Sequence, residues 1–452
     1  MTLVTIALGL AGLGVVVFFH ELGHFIVSRL VGVEVEEFSL GWGPRLYSKK
    51  IGSTAYTLSA LPIGGYCRMK GEDSYRKAIE QKLEEFPREP GTYFGASPFR
   101  RILISFGGPF MNVVFAVIVY SLVMAVGYDV KSWDNRIILA SQFDGGSYPA
   151  DRSGLESGDR IVAIDGKIIS TFGELQEYIA LSAQKPIEVS IDRSGRQLGV
   201  QIRPDFDKES GIGRVGVYPW IEPVIETVDA SGAAALAGLR VGDRIMSING
   251  MPIDHTIGLF SLLDTEKPSK ATVRFSRDGT EVEATLVLAY PSGSTADLGV
   301  GWKSITSNVR AGGPGQALAM GLSETGDTIS ATYRGIATLF MGVDILKAVS
   351  GPARITWMVG SVAQSGLSGE SAGGLSMALN FLAVLSIGLF AMNLLPIPLL
   401  DGGSILLFII ELIRHKAAKV KTVLRYQTIG MVAVAALFLL STVGDVLFFS
   451  SK

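Results

Sequence analysis

The chain has 452 residues, 48% of them hydrophobic and 18% charged, against about 25% charged in an average soluble protein, and its mean hydropathy is +0.37. That composition excludes a disordered chain and argues against a wholly soluble one; at roughly 150 residues per domain it holds about three folded units. Lys+Arg at 40 against Asp+Glu at 42 leave a net charge of −2, which offers nucleic acid no electrostatic footprint, and the single cysteine, Cys67, excludes an intrachain disulfide.

The first element is an uncharged apolar stretch over residues 2–19. It lacks the basic start and the small-residue cleavage site of a signal peptide, so it is read as a membrane helix. Three further stretches, 102–127, 375–400 and 426–443, are also long enough to cross about 30 Å of hydrocarbon. The first closes on His20, Glu21, Leu22, Gly23 and His24, an HExxH pattern. On a helix the two histidines lie four residues apart on one face, so both imidazoles reach one ion. Glu21 is turned away by about 100° and reaches a water beside the ion rather than the ion itself. Two His ligands, a third ligand, an open position and a Glu base are the parts of a hydrolytic zinc site. Ionisable groups in a membrane helix are costly and default to function.

The loop over 28–101 holds twelve Lys/Arg, among them the pairs Lys49-Lys50, Arg76-Lys77 and Arg100-Arg101. Within it, 38–70 alternates as short strands and turns around Gly41-Trp42-Gly43 and Leu61-Pro62-Ile63-Gly64-Gly65-Tyr66. The second span contains Gly108-Pro109-Phe110-Met111-Asn112; Asn112 is expected to bond across helices or to pack as a lone polar residue.

Residues 128–374 contain a duplication. Gly154-Leu155, Gly158-Asp159-Arg160-Ile161 and Ile164-Asp165-Gly166 recur as Gly238-Leu239, Gly242-Asp243-Arg244-Ile245 and Ile248-Asn249-Gly250, always 84 residues on. Alternating β-branched runs (187–191, 272–275), the turn Asp278-Gly279 and a short helical segment over 172–180 predict two small α/β modules. The pattern resembles PDZ domains of the tandem kind found in bacterial envelope proteases, which imply a peptide added as a strand to a sheet edge or, without that, a steric cap. Residues 335–363 are half apolar yet carry Asp344, Lys347 and Arg354, and are read as interfacial helices rather than a fifth span.

In the third span Asn393 is followed by Pro396, Pro398, Asp401, Gly402 and Gly403, and Asp401 is the one charge between Glu370 and Glu411. The prolines break the helix, and freed backbone at membrane depth is tolerated only against protein or a wet cavity. Asp401 is therefore the candidate third ligand; a helix-capping Asp is the alternative. His255 and His415 are weaker candidates and are expected to be surface histidines. The loop before the fourth span carries Arg414, Lys416, Lys419, Lys421 and Arg425. Parity puts both basic loops on one face, which the positive-inside rule makes cytoplasmic, with the termini and 128–374 outside. His20 then lies about 27 Å along its helix, near the cytoplasmic boundary.

HExxH in the first span, NxxPxPxLDG in the third and the external repeat together resemble the site-2 protease family of intramembrane zinc metalloproteases. The fold expected is a polytopic α-helical membrane protein with four transmembrane helices, a membrane-associated β-element and two extracytoplasmic PDZ domains. It divides as 1–127 (spans 1 and 2), 128–209 and 210–298 (PDZ domains), 299–370 (interfacial helices) and 371–452 (spans 3 and 4). The resemblance implies Zn2+ held by His20, His24 and Asp401, with Glu21 as general base. It also implies that Asn393 orients the substrate backbone or stabilises the oxyanion, and that the β-element pairs with substrate. Further implications are a place in the bacterial inner membrane and single-span protein substrates, such as an anti-sigma factor trimmed by a first protease and remnant signal peptides. The PDZ pair would exclude substrates with bulky outer domains.

Two other classes compete. A catalytically silent PDZ scaffold predicts loss of one of His20, Glu21, His24 and Asp401, and all four are present. A transporter predicts polar residues in several spans, whereas here they form one cluster.

Overall fold

The structure is a computed structural model that describes residues 2–72, 78, 80–290, 295–341, 350–367 and 374–450. The Arg76-Lys77 pair, Asp344 and Lys347 lie outside the described residues. The apolar opening folds as α1 (Leu3–Leu30), capped by Thr2, whose side chain accepts from the Thr5 amide. The helix does not close at the HExxH pattern as expected. Phe25, Ile26 and Val27 continue it, and the chain turns at Gly32, where φ is +81°.

A hairpin follows, β1 (Val35–Ile51) and β2 (Thr54–Met69). Its register doubles back: Phe38 has Cys67 on one side and Tyr56 on the other, so the start of β1 lies between both ends of β2. Glu37 is buried there against Arg45, Arg68 and Thr57, while Trp42, Leu46, Tyr47 and Ile51 are left exposed. The second apolar helix, α2 (Pro98–Val126), is capped by Ser97 and carries Pro109 inside it. A side chain on Gly23 of α1 would lie 2.6 Å from the Gly107 carbonyl carbon and 2.8 Å from Met111 Cβ. Glycine thus lets the two backbones touch, the usual device where helices gain little from hydrophobic transfer.

The chain divides into two compact units, residues 1–129 with 308–452, and residues 130–307. It leaves and re-enters the first unit at one place, where Asn308 Nδ2 donates to Asp129 Oδ1 at 2.7 Å. After re-entry come α3 (Pro314–Thr338) and α4 (Pro352–Leu367). The helical region thus begins at Pro314, not near residue 335 as expected, because Gly, Ala, Ser and Thr mask its apolar stripe. α3 packs on α2, with the Tyr120 hydroxyl 3.0 Å from Thr328 Oγ1. α4 packs on α1, where the Thr5 hydroxyl donates to Gln364 Oε1 at 2.6 Å.

The third apolar helix, α5 (Gly374–Asn393), stops before the prolines rather than at residue 400. Residues 394–400 form an irregular link, and α6 (Asp401–Arg414) starts at the aspartate itself. Leu399 in that link has φ +80°, a conformation that costs a branched residue on the order of 1–3 kcal/mol and persists only when its surroundings enforce it. α7 (Val420–Ser450) ends the described chain, and its Asp445 accepts from the Gly351 and Ala353 amides at 2.8 and 2.9 Å, capping α4. α1, α2, α5 and α7 are each long and apolar enough to cross a membrane. Val16, Phe115, Val119, Ala383 and Ile387 are the shared core of α1, α2 and α5.

In the second unit the duplication is structural. One four-stranded sheet orders its strands as Lys167–Ile168, Arg160–Ile164, Ile187–Arg193, Arg196–Ile202; the other as Met251–Pro252, Arg244–Ile248, Lys270–Arg277, Thr280–Val287. Helices Phe172–Leu181 and Thr256–Glu266 accompany them. Core positions correspond across the repeat, Ile161 with Ile245, Leu175 with Leu259 and Ile191 with Phe275. So does an ion pair of a buried aspartate with a partly exposed arginine, Asp159 with Arg193 and Asp243 with Arg277. The first core takes in Val215 and Val217 and the second begins at Ile225, so packing moves the expected join at 209/210 to between Pro219 and Ile225.

Candidate metal centre

His20 and His24 are buried on one face of α1, and the broken third span brings Asp401 to them. One donor atom from each of the three lies within 4.8 Å of the others. The two Nε2 atoms are 3.2 Å apart. Asp401 Oδ2 is 3.2 Å from His20 Nε2, and Oδ1 is 3.5 Å from His24 Nε2. The link that delivers Asp401 is held by close backbone packing: a side chain on Gly403 would lie 2.6 Å from the Ile397 carbonyl carbon. The Tyr426 hydroxyl of α7 donates to the Gly403 carbonyl at 3.0 Å.

The outer nitrogens of the imidazoles are engaged as well. His24 Nδ1 is 2.8 Å from the Ile104 carbonyl, which can only accept, so Nδ1 carries the proton and Nε2 presents a lone pair. His20 Nδ1 faces the Asn112 carboxamide at 3.1 Å. Asn393 Nδ2 lies 3.4 Å from His20 Nε2, at the edge of the cluster. Glu21 is not among the clustered donors; it lies by the end of β2, 3.6 Å from where a Gly65 side chain would begin, with the Cys67 amide bonded to its carboxylate.

A cavity of about 400 Å³ opens beside the cluster, and His24, Asp401, Glu72, Tyr93, Ser105 and Gln427 line it. Burial pushes the Glu72 carboxyl up to about 7, the Glu21 charge adding to the rise. Burial likewise raises the Cys67 thiol, which stays neutral.

The donor set fits zinc. Bonds of about 2.0–2.2 Å in a tetrahedron put ligand atoms about 3.3 Å apart; the two Nε2 atoms are 3.2 Å apart, one Asp401 oxygen is 3.2 Å from His20 Nε2, and the other is 3.5 Å from His24 Nε2. Two imidazoles and a carboxylate with an adjoining cavity are the three-ligand type that keeps a fourth position open.

A family model described as Peptidase family M50 matches residues 8–438. The chain belongs to peptidase family M50. A Treponema pallidum protein is 39% identical over 447 residues, 99% of each chain, and one from Borreliella burgdorferi is 28% identical over 423 residues, 93% of each; both carry the name "Putative zinc metalloprotease". The Escherichia coli protein named Regulator of sigma-E protease RseP is 28% identical over 428 residues, 90% of each chain. This M50 peptidase is accordingly a zinc metalloprotease.

Of the residues singled out in the sequence, His20, His24, Asp401 and Asn393 converge, with Glu21 alongside. His255 and His415 do not join them. His415 is exposed at the end of α6. His255 is no plain surface residue: its Nδ1 accepts from the Gly258 amide at 2.9 Å, capping helix Thr256–Glu266, and its ring packs on Trp220. The Ile104 carbonyl had no signal in the sequence, since any residue supplies one. Glu72, Tyr93 and Gln427 were also missed, lying in segments read only as a charged loop and a span.

Proposed function

We propose that this peptidase is a membrane endopeptidase that cuts single-span membrane proteins within or near their membrane segment. His20, His24 and Asp401 hold zinc, Glu21 is the general base, and Asn393 donates to the reacting carbonyl. The observation carrying this reading is the convergence of one donor atom each from His20, His24 and Asp401 within 4.8 Å, the two Nε2 atoms 3.2 Å apart, with Glu21 beside the set but outside it. When bound, zinc polarises the scissile carbonyl and brings the pKa of its water to about 7. Glu21 takes the proton from the attacking water and returns it to the leaving amine. Asn393 Nδ2, 3.4 Å from His20 Nε2, is a donor where negative charge develops on the carbonyl oxygen.

Hydrolysis needs an extended backbone. The Gly65–Cys67 stretch of β2 runs beside Glu21, and a substrate laid along it exchanges helical hydrogen bonds for strand pairing. The outward Trp42, Leu46, Tyr47 and Ile51 suit a hairpin seated in the membrane boundary. In this reading the two modules of 130–307 are PDZ domains. A groove of about 360 Å³ between helix Phe172–Leu181 and residues 212–219 supports a peptide site in the first. The basic loops face the cytoplasm of a bacterial inner membrane, the termini and modules face outward, and zinc lies toward the cytoplasmic side. Anti-sigma factors left by a first cleavage, and remnant signal peptides, are the substrates this arrangement serves.

The test is zinc content and cleavage of a model single-span substrate by wild type, Glu21→Gln and Asp401→Ala. Glu21→Gln keeps zinc and loses turnover; Asp401→Ala loses both. Turnover by Glu21→Gln removes Glu21 from its role, and full zinc in Asp401→Ala points to another ligand.

A further inference from the structure

His20 and His24 reach the cluster through Nε2, so each must carry its proton on Nδ1 and needs an acceptor there. For His24 the acceptor is the Ile104 carbonyl, a main-chain group. For His20 the neighbour is a side chain, Asn112 of α2, fully buried and 3.1 Å away. Its Nδ2 faces the ring, and its Oδ1 is buried without a hydrogen-bond partner. With nitrogen inward, Nδ1 accepts and the His20 proton sits on Nε2, aimed at Asp401 3.2 Å away. That arrangement is self-consistent only without a metal, because the nitrogen the metal needs is blocked.

Turning the carboxamide by 180° exchanges its two ends with no movement of α2, and chemistry, not heavy-atom position, decides between them. We propose that Asn112 is the positioning residue of the zinc site: its carboxamide oxygen accepts from His20 Nδ1–H and thereby holds His20 in the tautomer whose Nε2 binds zinc. The turned amide points its NH2 end away from the imidazole, to the place Oδ1 now holds. The backbone on both sides is braced. The Asn112 carbonyl accepts from the Ser386 hydroxyl of α5 at 3.0 Å, and a side chain on Gly108, one turn earlier, would lie 2.8 Å from His20 Cε1.

This rests on His20 being a ligand, and the test separates the two claims. Zinc affinity is measured by chelator competition on the detergent-solubilised full chain for wild type, His20→Ala, Asn112→Leu and Asn112→Asp. Asn112→Leu, which keeps the volume and removes the acceptor, is expected to weaken zinc binding on the order of 10–100-fold. Asn112→Asp, which accepts but cannot donate, stays near wild type. A packing or donor role predicts otherwise: unchanged affinity in Asn112→Leu, or a loss in Asn112→Asp equal to that in Asn112→Leu, overturns the assignment. Asn112→Asp alone excludes only the donor role, so if the Leu variant does not fold, Asn112→Val, which likewise lacks an acceptor, takes its place with the same expected loss. Wild-type affinity in His20→Ala overturns the ligand reading itself, whatever Asn112 does.

Discussion

Gly108→Ala adds one methyl group beside His20 and His24 of the proposed zinc site and nothing else. The new Cβ would lie 2.7 Å from His24 Cε1, 2.8 Å from His20 Cε1 and closer still to His24 Nε2. Ordinary contact begins at 3.4 Å, so both imidazoles must retreat by several tenths of an ångström or more, and a metal constellation tolerates about 0.5 Å. Backing α1 away instead would open the close packing of its backbone on α2 at Gly23 and Gly107. Zinc affinity is expected to fall on the order of 10–100-fold, the scale of disturbing groups that orient metal ligands, or about 1.4–2.7 kcal/mol. Intrinsic helix propensity works the other way, favouring Ala over Gly by about 0.5–1 kcal/mol, so a loss cannot be blamed on a weakened helix. Chelator competition measures the affinity. Gly326→Ala in α3, whose methyl meets nothing within 4 Å, is the matched control. A Gly108→Ala protein that binds zinc like wild type would refute the geometry of the cluster.

Two other perturbations test the surroundings. Arg101 and Glu411 form a buried pair at 2.6 Å, with Glu411 also accepting from the Ala418 amide. Arg101→Met strands a buried carboxylate and is expected to destabilise by about 3–5 kcal/mol; Arg101→Met with Glu411→Leu recovers most of it in unfolding measurements, and simple additivity would show the pair uncoupled. Burial and the nearby Arg136 hold His255 below its ordinary 6.5, Asp254 opposing them. The unfolded chain therefore binds the proton more readily, so the contribution of His255 is complete above about pH 6.5 and is lost as pH falls below it. Hydrogen exchange in helix Thr256–Glu266 is expected to quicken, relative to the rest of the unit, between pH 7 and 5, and His255→Asn, a neutral cap, abolishes the difference; equal acid sensitivity in that variant would assign the effect elsewhere.

The chemistry was legible where residue type alone dictates it. HExxH needs only helical spacing, and Asp401 stands out because a lone charge in an apolar stretch is expensive. The repeat announced two modules because Gly158-Asp159-Arg160-Ile161 and its neighbours recur as Gly242-Asp243-Arg244-Ile245 at one offset; that Asp159 and Asp243 each pair with an Arg emerged only from the structure. Helix ends were less legible. Apolarity runs on through Leu394–Leu400, but backbone sterics at Pro396 and Pro398 stop α5 at Asn393. In α1 nothing stops the helix at His24, although the hydropathy drops there. α3 was hidden because its buried stripe, Ala317, Gly321 and Thr325, is small rather than greasy. The main-chain acceptor for His24 is beyond any reading of side chains. The hairpin register was equally hidden, since pairing Phe38 with both Tyr56 and Cys67 depends on where β2 doubles back.

The hydrogen bond between Asp129 and Asn308 has a consequence for how such a chain can diversify. Because departure and return share a single doorway, everything between them is a detachable cassette. Its cores are built from its own residues, and His20, His24 and Asp401 all lie outside it. A change confined to the cassette therefore leaves every residue of the His20–His24–Asp401 cluster in place.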